Sequence, residues 1–455
     1  MTDRLANPPK SDDLQASAGT GALRRAAALA LVAVMAGAMK IDALAAIPMQ
    51  ERNTLESIYT STIGGGWTLN SNWCYGTCPV GVVKPTFNLE GTECQWYGVT
   101  CDVAQAHVTK IQLGGNNLGG SLPVLSGLSK LVIFDVHSNN LTGSIPSLTQ
   151  LHDLAFFSVY DNSLSGSLPA LNGQANLTAF YAFDNQLTGS IPALSAQDVL
   201  AVFQVNDNLL SGSIPSLAGL ANLESFLVSD NQLTGSIPPL DGMTKLQYFW
   251  VYNNQLTGSI PVLADQSNLI DVEMSDNLLS GAIPSLAGLS HLAIFTVSRN
   301  VLSGSLPDLT GLTNLSRFDA SSNLLTGTIP SLVGLSNLFN FDVSDNQLEG
   351  PLPDWTALTG LQAFRASGNS LSGPIPELSA LTSLNLFYVG ANRLTGAVPA
   401  PPPALSGASL CPNLLATTPG PNDAAWNVAT GYTPWWATPY AGNACDDIFT
   451  SRFGD

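Results

Sequence analysis

Residues 226–238 read Phe226-Leu227-Val228-Ser229-Asp230-Asn231-Gln232-Leu233-Thr234-Gly235-Ser236-Ile237-Pro238. This stretch decides the fold because it recurs. Its asparagine returns as Asn116, Asn139, Asn162, Asn185, Asn208, Asn231, Asn254, Asn277, Asn300, Asn323, Asn346, Asn369 and Asn392, each 23 residues after the last. Every unit then carries Gly, one further residue, a branched aliphatic residue and Pro. A fixed period of this length marks a solenoid, because one unit cannot bury its apolar face and stacked units can.

Each position has a physical task. The residues five and three before the Asn are apolar and alternate with polar ones, as in Phe134/Val136 and Phe341/Val343. Such alternation over a short run predicts a half-buried strand. The Asn amide is expected to bond backbone groups of neighbouring coils, where no regular ladder satisfies them. The Gly permits a bend at positive φ, and the Pro fixes φ just beyond it. Leu233, Leu240 and Leu246 fill the space between coils.

The pattern L-x-x-F-x-V-S-x-N-x-L-x-G-S-I-P resembles the plant-type leucine-rich repeat. The stretch before the array agrees. Trp67, Trp73 and Cys94-Gln95-Trp96-Tyr97-Gly98-Val99-Thr100-Cys101 resemble that family's N-terminal cap, and Leu55, Ile58, Tyr59 and Thr62 have the spacing of a cap helix. The resemblance covers roughly residues 47–400. The fold expected is an α/β solenoid: a curved array of thirteen 23-residue repeats with one concave parallel sheet and disulfide-tied caps at both ends. The family resemblance, which extends to receptor ectodomains and polygalacturonase inhibitors, implies a protein or peptide ligand, or inhibition of a secreted wall-degrading hydrolase. The sequence departs from the family in one respect. Its convex segment reads P-x-L-x-x-L, as in Pro215 to Leu220, one residue shorter than the usual P-x-x-L-x-x-L. Curvature is therefore not carried over from the family, nor is a receptor-kinase role.

The chain has 455 residues, only 11% of them charged against ~25% in ordinary domains, and a net charge of -18. A nucleic-acid partner is excluded, since phosphate contacts need Lys and Arg. An anionic membrane surface is disfavoured for the same reason. The expected layout is an export signal at 1–45, a cap at 46–107, repeats at 108–400, and a Pro-rich hinge with a C-terminal cap at 401–455. Arg24 and Arg25 precede an apolar run from Ala26 to Ala38, and Ala43-Leu44-Ala45 offers a cleavage site. A membrane anchor is the rival reading, but the run is short of the ~20 residues a span needs. The exported chain is expected to be secreted, periplasmic or at the cell surface, and monomeric, with no transmembrane helix in its mature form.

Six cysteines lie outside the repeats: Cys74, Cys78, Cys94, Cys101, Cys411 and Cys445. An even count beside an export signal points to disulfides. A zinc site is the alternative for the Cys74–Cys78 spacing, but no His stands near. The sequence does not fix the pairing. Cys74–Cys78, Cys94–Cys101 and Cys411–Cys445 are the expected bridges.

Binding is expected on the concave sheet, on residues six, four and two before each Asn. Phe156, Tyr160, Tyr181, Phe183, Gln204, Leu227, Tyr248, Trp250 and Tyr252 form the expected contact patch. Aromatics on a rigid sheet lose little entropy on binding and are frequent hot spots. The plainer reading is that these rings pack on one another across strands. A second column, Asp161, Asp184, Asp207, Asp230, Asp276 and Asp345, precedes the Asn. It is expected to bond turn amides rather than form an acidic ridge.

No nucleophile elbow, phosphate loop or metal-spaced His pair occurs. Asp271 and Glu273 could form a carboxylate pair, but exposed acids on a solenoid are usually just solvated. No catalysis, cofactor or metal is expected. The function expected is a recognition module for a protein, peptide or glycan. The rivals are a structural spacer, a hydrolase inhibitor and an ice-binding protein, the last suggested by a Ser column at 229, 275, 298, 321, 344 and 367.

Overall fold

The structure is a computed structural model that describes residues 46–82, 85–355 and 358–437. The expected export signal at 1–45 and Cys445 lie outside the described residues. From Ile47 onward the described chain is one solenoid.

Fifteen strands form its main sheet. The first, β1 (Val99–Cys101), comes from the cap and runs antiparallel to β2 (Val108–Gln112). Every later strand adds in parallel, one per coil. The register is direct: Phe203 lies opposite Phe180 on one side and Phe226 on the other. Because strands repeat at a fixed register, identical side chains stack. Phe134, Phe157, Phe180, Phe203, Phe226 and Phe249 are all buried, with neighbouring ring centroids 5.3 to 5.9 Å apart. Val272 interrupts this spine, which resumes at Phe295 and runs to Phe387.

The asparagines do what the sequence asks of them. Asn231 Nδ2 donates to the carbonyls of Val205, Val228 and Ser229 at 3.0, 3.2 and 3.0 Å. Its Oδ1 accepts from Leu210 N at 2.8 Å. One amide therefore satisfies four backbone groups where the chain leaves the sheet and no ladder serves them.

Two features differ from the one-sheet expectation. The segment after the Asn, read above only as a bend, also forms strands. Gln232–Ser236 and Gln255–Ser259 belong to a six-stranded side sheet, and shorter side sheets flank it. The convex side carries turns instead of helices, so the fold is a β-solenoid. The short P-x-L-x-x-L segment leaves too few residues for a helical turn there.

The Pro-rich stretch is not a hinge. Gly407–Ser409 adds to the main sheet beside Leu386–Tyr388. Asn413 then bonds Leu394 N, Val389 O and Leu410 O as a further rung of the ladder. Residues 402–415 are thus a fourteenth coil, shortened so that its Asn falls 21 residues after Asn392. Helix α2 (Asp423–Thr430) covers the end. Trp426 is fully buried, donates to Pro399 O at 2.8 Å and meets Phe387 at 6.4 Å, closing the phenylalanine spine.

At the other end, α1 (Met49–Ser61) buries Leu55, Ile58 and Tyr59. Tyr59, Trp67, Trp73 and Trp96 pack as one aromatic cluster. Arg52 is buried against Glu93 and over the Trp96 ring. Cys74–Cys78 and Cys94–Cys101 are disulfides. Cys411 is also disulfide-bonded. No helix among the described residues is long and apolar enough to cross a membrane.

The aspartate column has a different cause from the one expected. Asp161, Asp184, Asp207, Asp230, Asp276 and Asp345 all have positive φ, between 51° and 57°. This left-handed turn favours Asp, Asn and Gly; Asn253, Gly115 and Gly368 occupy the same place in other coils, while Ser138, Arg299, Ser322 and Ala391 hold it in the remaining four. Backbone conformation favours Asp, Asn and Gly here without requiring them. The side chains reach sideways to the next coil, as in Asn253 Nδ2 to Asp230 Oδ1 at 2.6 Å.

Candidate functional site

The outward face of the main sheet, expected to be the concave one, sets side chains at strand spacing along three columns. Reading the middle column along the coils gives Ser158, Tyr181, Gln204, Leu227, Trp250, Glu273 and Thr296. Their exposure is uneven. Phe156, Tyr160, Tyr181, Phe183, Tyr248, Trp250 and Tyr252 are half-buried and present ring surface. Gln204 and Leu227 are 4% and 2% exposed, too deep to meet a ligand directly. They are shorter side chains set between the rings of Tyr181 and Trp250, so they lie below ring height. Gln204 Nε2 donates to Ser225 Oγ at 3.2 Å. The patch is therefore two aromatic groups with a low polar and aliphatic floor between them.

The first group is a stack. Tyr160 lies parallel to Phe183 at 4.3 Å and to His137 at 4.7 Å. Phe156 and Tyr181 meet at 5.5 Å. His137 was not among the expected residues. It holds the same column position as Tyr160, and its Nδ1 lies 2.5 Å from Asp135. The plainer reading, mutual packing, describes this group in part.

The second group is chemically different. Trp250 and Tyr252 are tilted rings 6.2 Å apart. The next strand, Asp271–Glu273, sets two carboxylates beside them. Asp271 is 8% exposed, and burial together with Glu273 pushes its carboxyl up to about 7. The Trp250 indole N–H and, farther off, Arg317 temper that rise. Trp250 Nε1 and Asp271 Oδ1 are each buried without a hydrogen-bond partner at full contact distance, although the indole is near enough to act on the carboxyl. Glu273 is raised by burial and by Asp230, against the pull of Arg317. Asp230 is raised by burial and by Asp207. Burial and the surrounding carboxylates push the Tyr252 hydroxyl up to about 12. The sequence placed Asp271 and Glu273 on this face as solvated acids. The structure desolvates both.

Beyond them the face is ionic and internally paired. Arg317 lies 3.6 Å from Asp319, and Arg365 lies 4.0 Å from Asp342. Arg365 also stacks over Tyr388 at 5.9 Å and donates to Asn340 at 2.7 Å. Arg299 is bound to Asp276. Of the Ser column, Ser229, Ser275 and Ser298 are buried, and Ser298 bonds Ser275 at 3.0 Å. Among the described residues no group of three or more His, Cys, Asp or Glu is placed to hold a metal ion.

No family model matches the sequence, but solved structures do. The structure of PEPR1 with AtPEP1 is 27% identical over 81% of this chain and 52% of that one, with a TM-score of 0.72. The Arabidopsis receptor kinase HAESA ectodomain, solved with an N-terminally extended IDA peptide hormone, is 26% identical over 82% of this chain and 66% of that one, with a TM-score of 0.62. InlJ from Listeria monocytogenes, at 20% identity over 67% of this chain and 63% of that one and a TM-score of 0.54, shares the fold alone. The chain spans about half the length of the PEPR1 structure it matches. Repeat pattern, asparagine ladder, cysteine-bearing cap and these likenesses agree: the chain has the leucine-rich-repeat solenoid fold and is similar to plant receptor ectodomains.

Proposed function

We propose that the chain is an exported recognition module that binds a peptide along its concave sheet. The observation that carries this is the half-buried ring group Tyr248, Trp250 and Tyr252, held on one rigid strand unit beside desolvated carboxylates. Rings that are already ordered cost little entropy on binding, and desolvated polar groups reward a complementary partner and penalise others. Of the similar structures, the HAESA ectodomain was solved with an IDA peptide hormone and PEPR1 with AtPEP1. The disulfides support an oxidising compartment.

The rivals fit less well. An ice-binding face needs exposed, repeated hydroxyls, and three serines of the expected column are buried. A spacer has no use for carboxylates held out of water.

The test is a random peptide library displayed on phage, panned on the intact chain, with a glycan array alongside. The expected result is enriched peptides whose binding is lost in a folded Trp250→Ala/Tyr252→Ala variant. Hits confined to the glycan array would replace the peptide reading with a carbohydrate one.

A further inference from the structure

The central concave face carries a charge imbalance that the fold does not resolve. On the strands from Val202 to Asp276, and at the residue before each Asn, the ionisable groups facing the sheet are Asp207, Asp230, Tyr248, Tyr252, Asp271, Glu273 and Asp276. No Lys or Arg stands among them. Lys245, the one cation in this stretch, bonds Asn222 on the far side. Arg299 is tied to Asp276, and Arg317 is shared with Asp319.

The acids are close enough to feel one another. Asp207 acts on Asp230, Asp230 on Glu273, and Glu273 on Asp271. Two further observations point into the same place. Asp271 is more than nine-tenths buried with an unpartnered Oδ1, and Thr296, on the next strand, is 2% exposed with an unpartnered Oγ1. A buried carboxylate without a cation is costly, and a cation delivered there gains more than it would at an open surface. The Trp250 and Tyr252 faces alongside favour a cation again through their ring quadrupoles.

We propose that the ligand enters this site with a basic side chain, arginine or lysine, placed between the Trp250 and Tyr252 rings and the Asp271 and Glu273 carboxylates. This rests on the peptide-binding reading and names the group recognised. A guanidinium suits it best, since its plane stacks on a ring while its N–H fork reaches a carboxylate. A cation seated there draws the Asp271 proton off. The groups facing Asp271 are Glu273 on its own strand, Tyr248 and Trp250 on the strand before, Ile294 and Thr296 on the strand after, and Arg317 one strand beyond; of these only Glu273 and Arg317 carry charge. Binding therefore weakens as pH falls from 8 to 6.

The experiment takes the peptides enriched by panning and measures one by calorimetry against the intact chain. An Arg or Lys is expected in each enriched family. Its replacement by Ala should cost about tenfold or more in affinity, and Asp271→Asn/Glu273→Gln should cost a similar factor. The two losses should not add when combined, which is the signature of direct contact. Glu273→Gln alone, at the less buried position, guards against misfolding of the double variant. Enriched peptides without a basic residue overturn the inference. So does binding that ignores both acid variants. If Trp250→Ala still abolishes that binding, the concave-face reading survives. If Trp250→Ala is also silent, or no peptide is enriched, both fall.

Discussion

At the residue scale, two columns do the structural work. The ladder asparagines were fully legible, because only an amide offers a donor pair and an acceptor at one point. Asn323 bonds Val297 O, Ala320 O and Ser321 O and accepts from Leu302 N. Asn323→Ala leaves these buried groups unmatched and should lower stability by about 2 kcal/mol or more, measured by urea unfolding. The aspartates were legible as a column but misread in cause. The predominance of Asp, Asn and Gly at this position, nine of thirteen coils, was already a sign of positive φ. Asp184→Val is expected to cost about 1 kcal/mol, while Asp184→Asn and Asp184→Gly are near neutral. Equal cost for Asn and Val would restore a role for the carboxylate itself.

At the scale of strands, alternation identified which residues face in and which face out, but not how far out they stand. That depends on neighbours across the sheet. Gln204 and Leu227 share their column with Tyr181 and Trp250, and size decides which of these reaches a ligand. Desolvation of Asp271 was hidden for the same reason, since no local pattern records what covers a carboxylate. It has a consequence for stability. Its folded value of about 7 lies above the ordinary 3.8. Between these, the folded state binds more protons than the unfolded one, so this contribution is present at low pH and lost as pH rises through about 7. Thermal melts should show a higher Tm at pH 5.5 than at pH 8, and Asp271→Asn should flatten the difference. The phenylalanine spine gives a larger effect: Phe226→Ala removes a buried ring between two others and should cost about 3–5 kcal/mol.

At the scale of the whole molecule, the repeat period announced a solenoid, and the cysteine-bearing motif marked its start. The side sheets and the fourteenth coil were not legible. The first arise only when coils stack, and the second breaks the 23-residue spacing that revealed the others. Terminal coils need cover because their neighbours lie on one side only. Truncation after residue 400 removes that coil and Trp426 and leaves Phe387 uncovered. The shortened chain should melt lower and self-associate, as seen by light scattering.

Trp250 and Trp436 are the two tryptophans that are not buried, one on the concave face and one in the tail. They separate the central claim from its nearest rival. The affinity of a library-selected peptide should be compared in Trp250→Ala and Trp436→Ala, each checked for a native melt. Recognition on the concave sheet gives a loss of about tenfold or more in the first and none in the second. A loss confined to Trp436→Ala would contradict it and move the binding site to the tail.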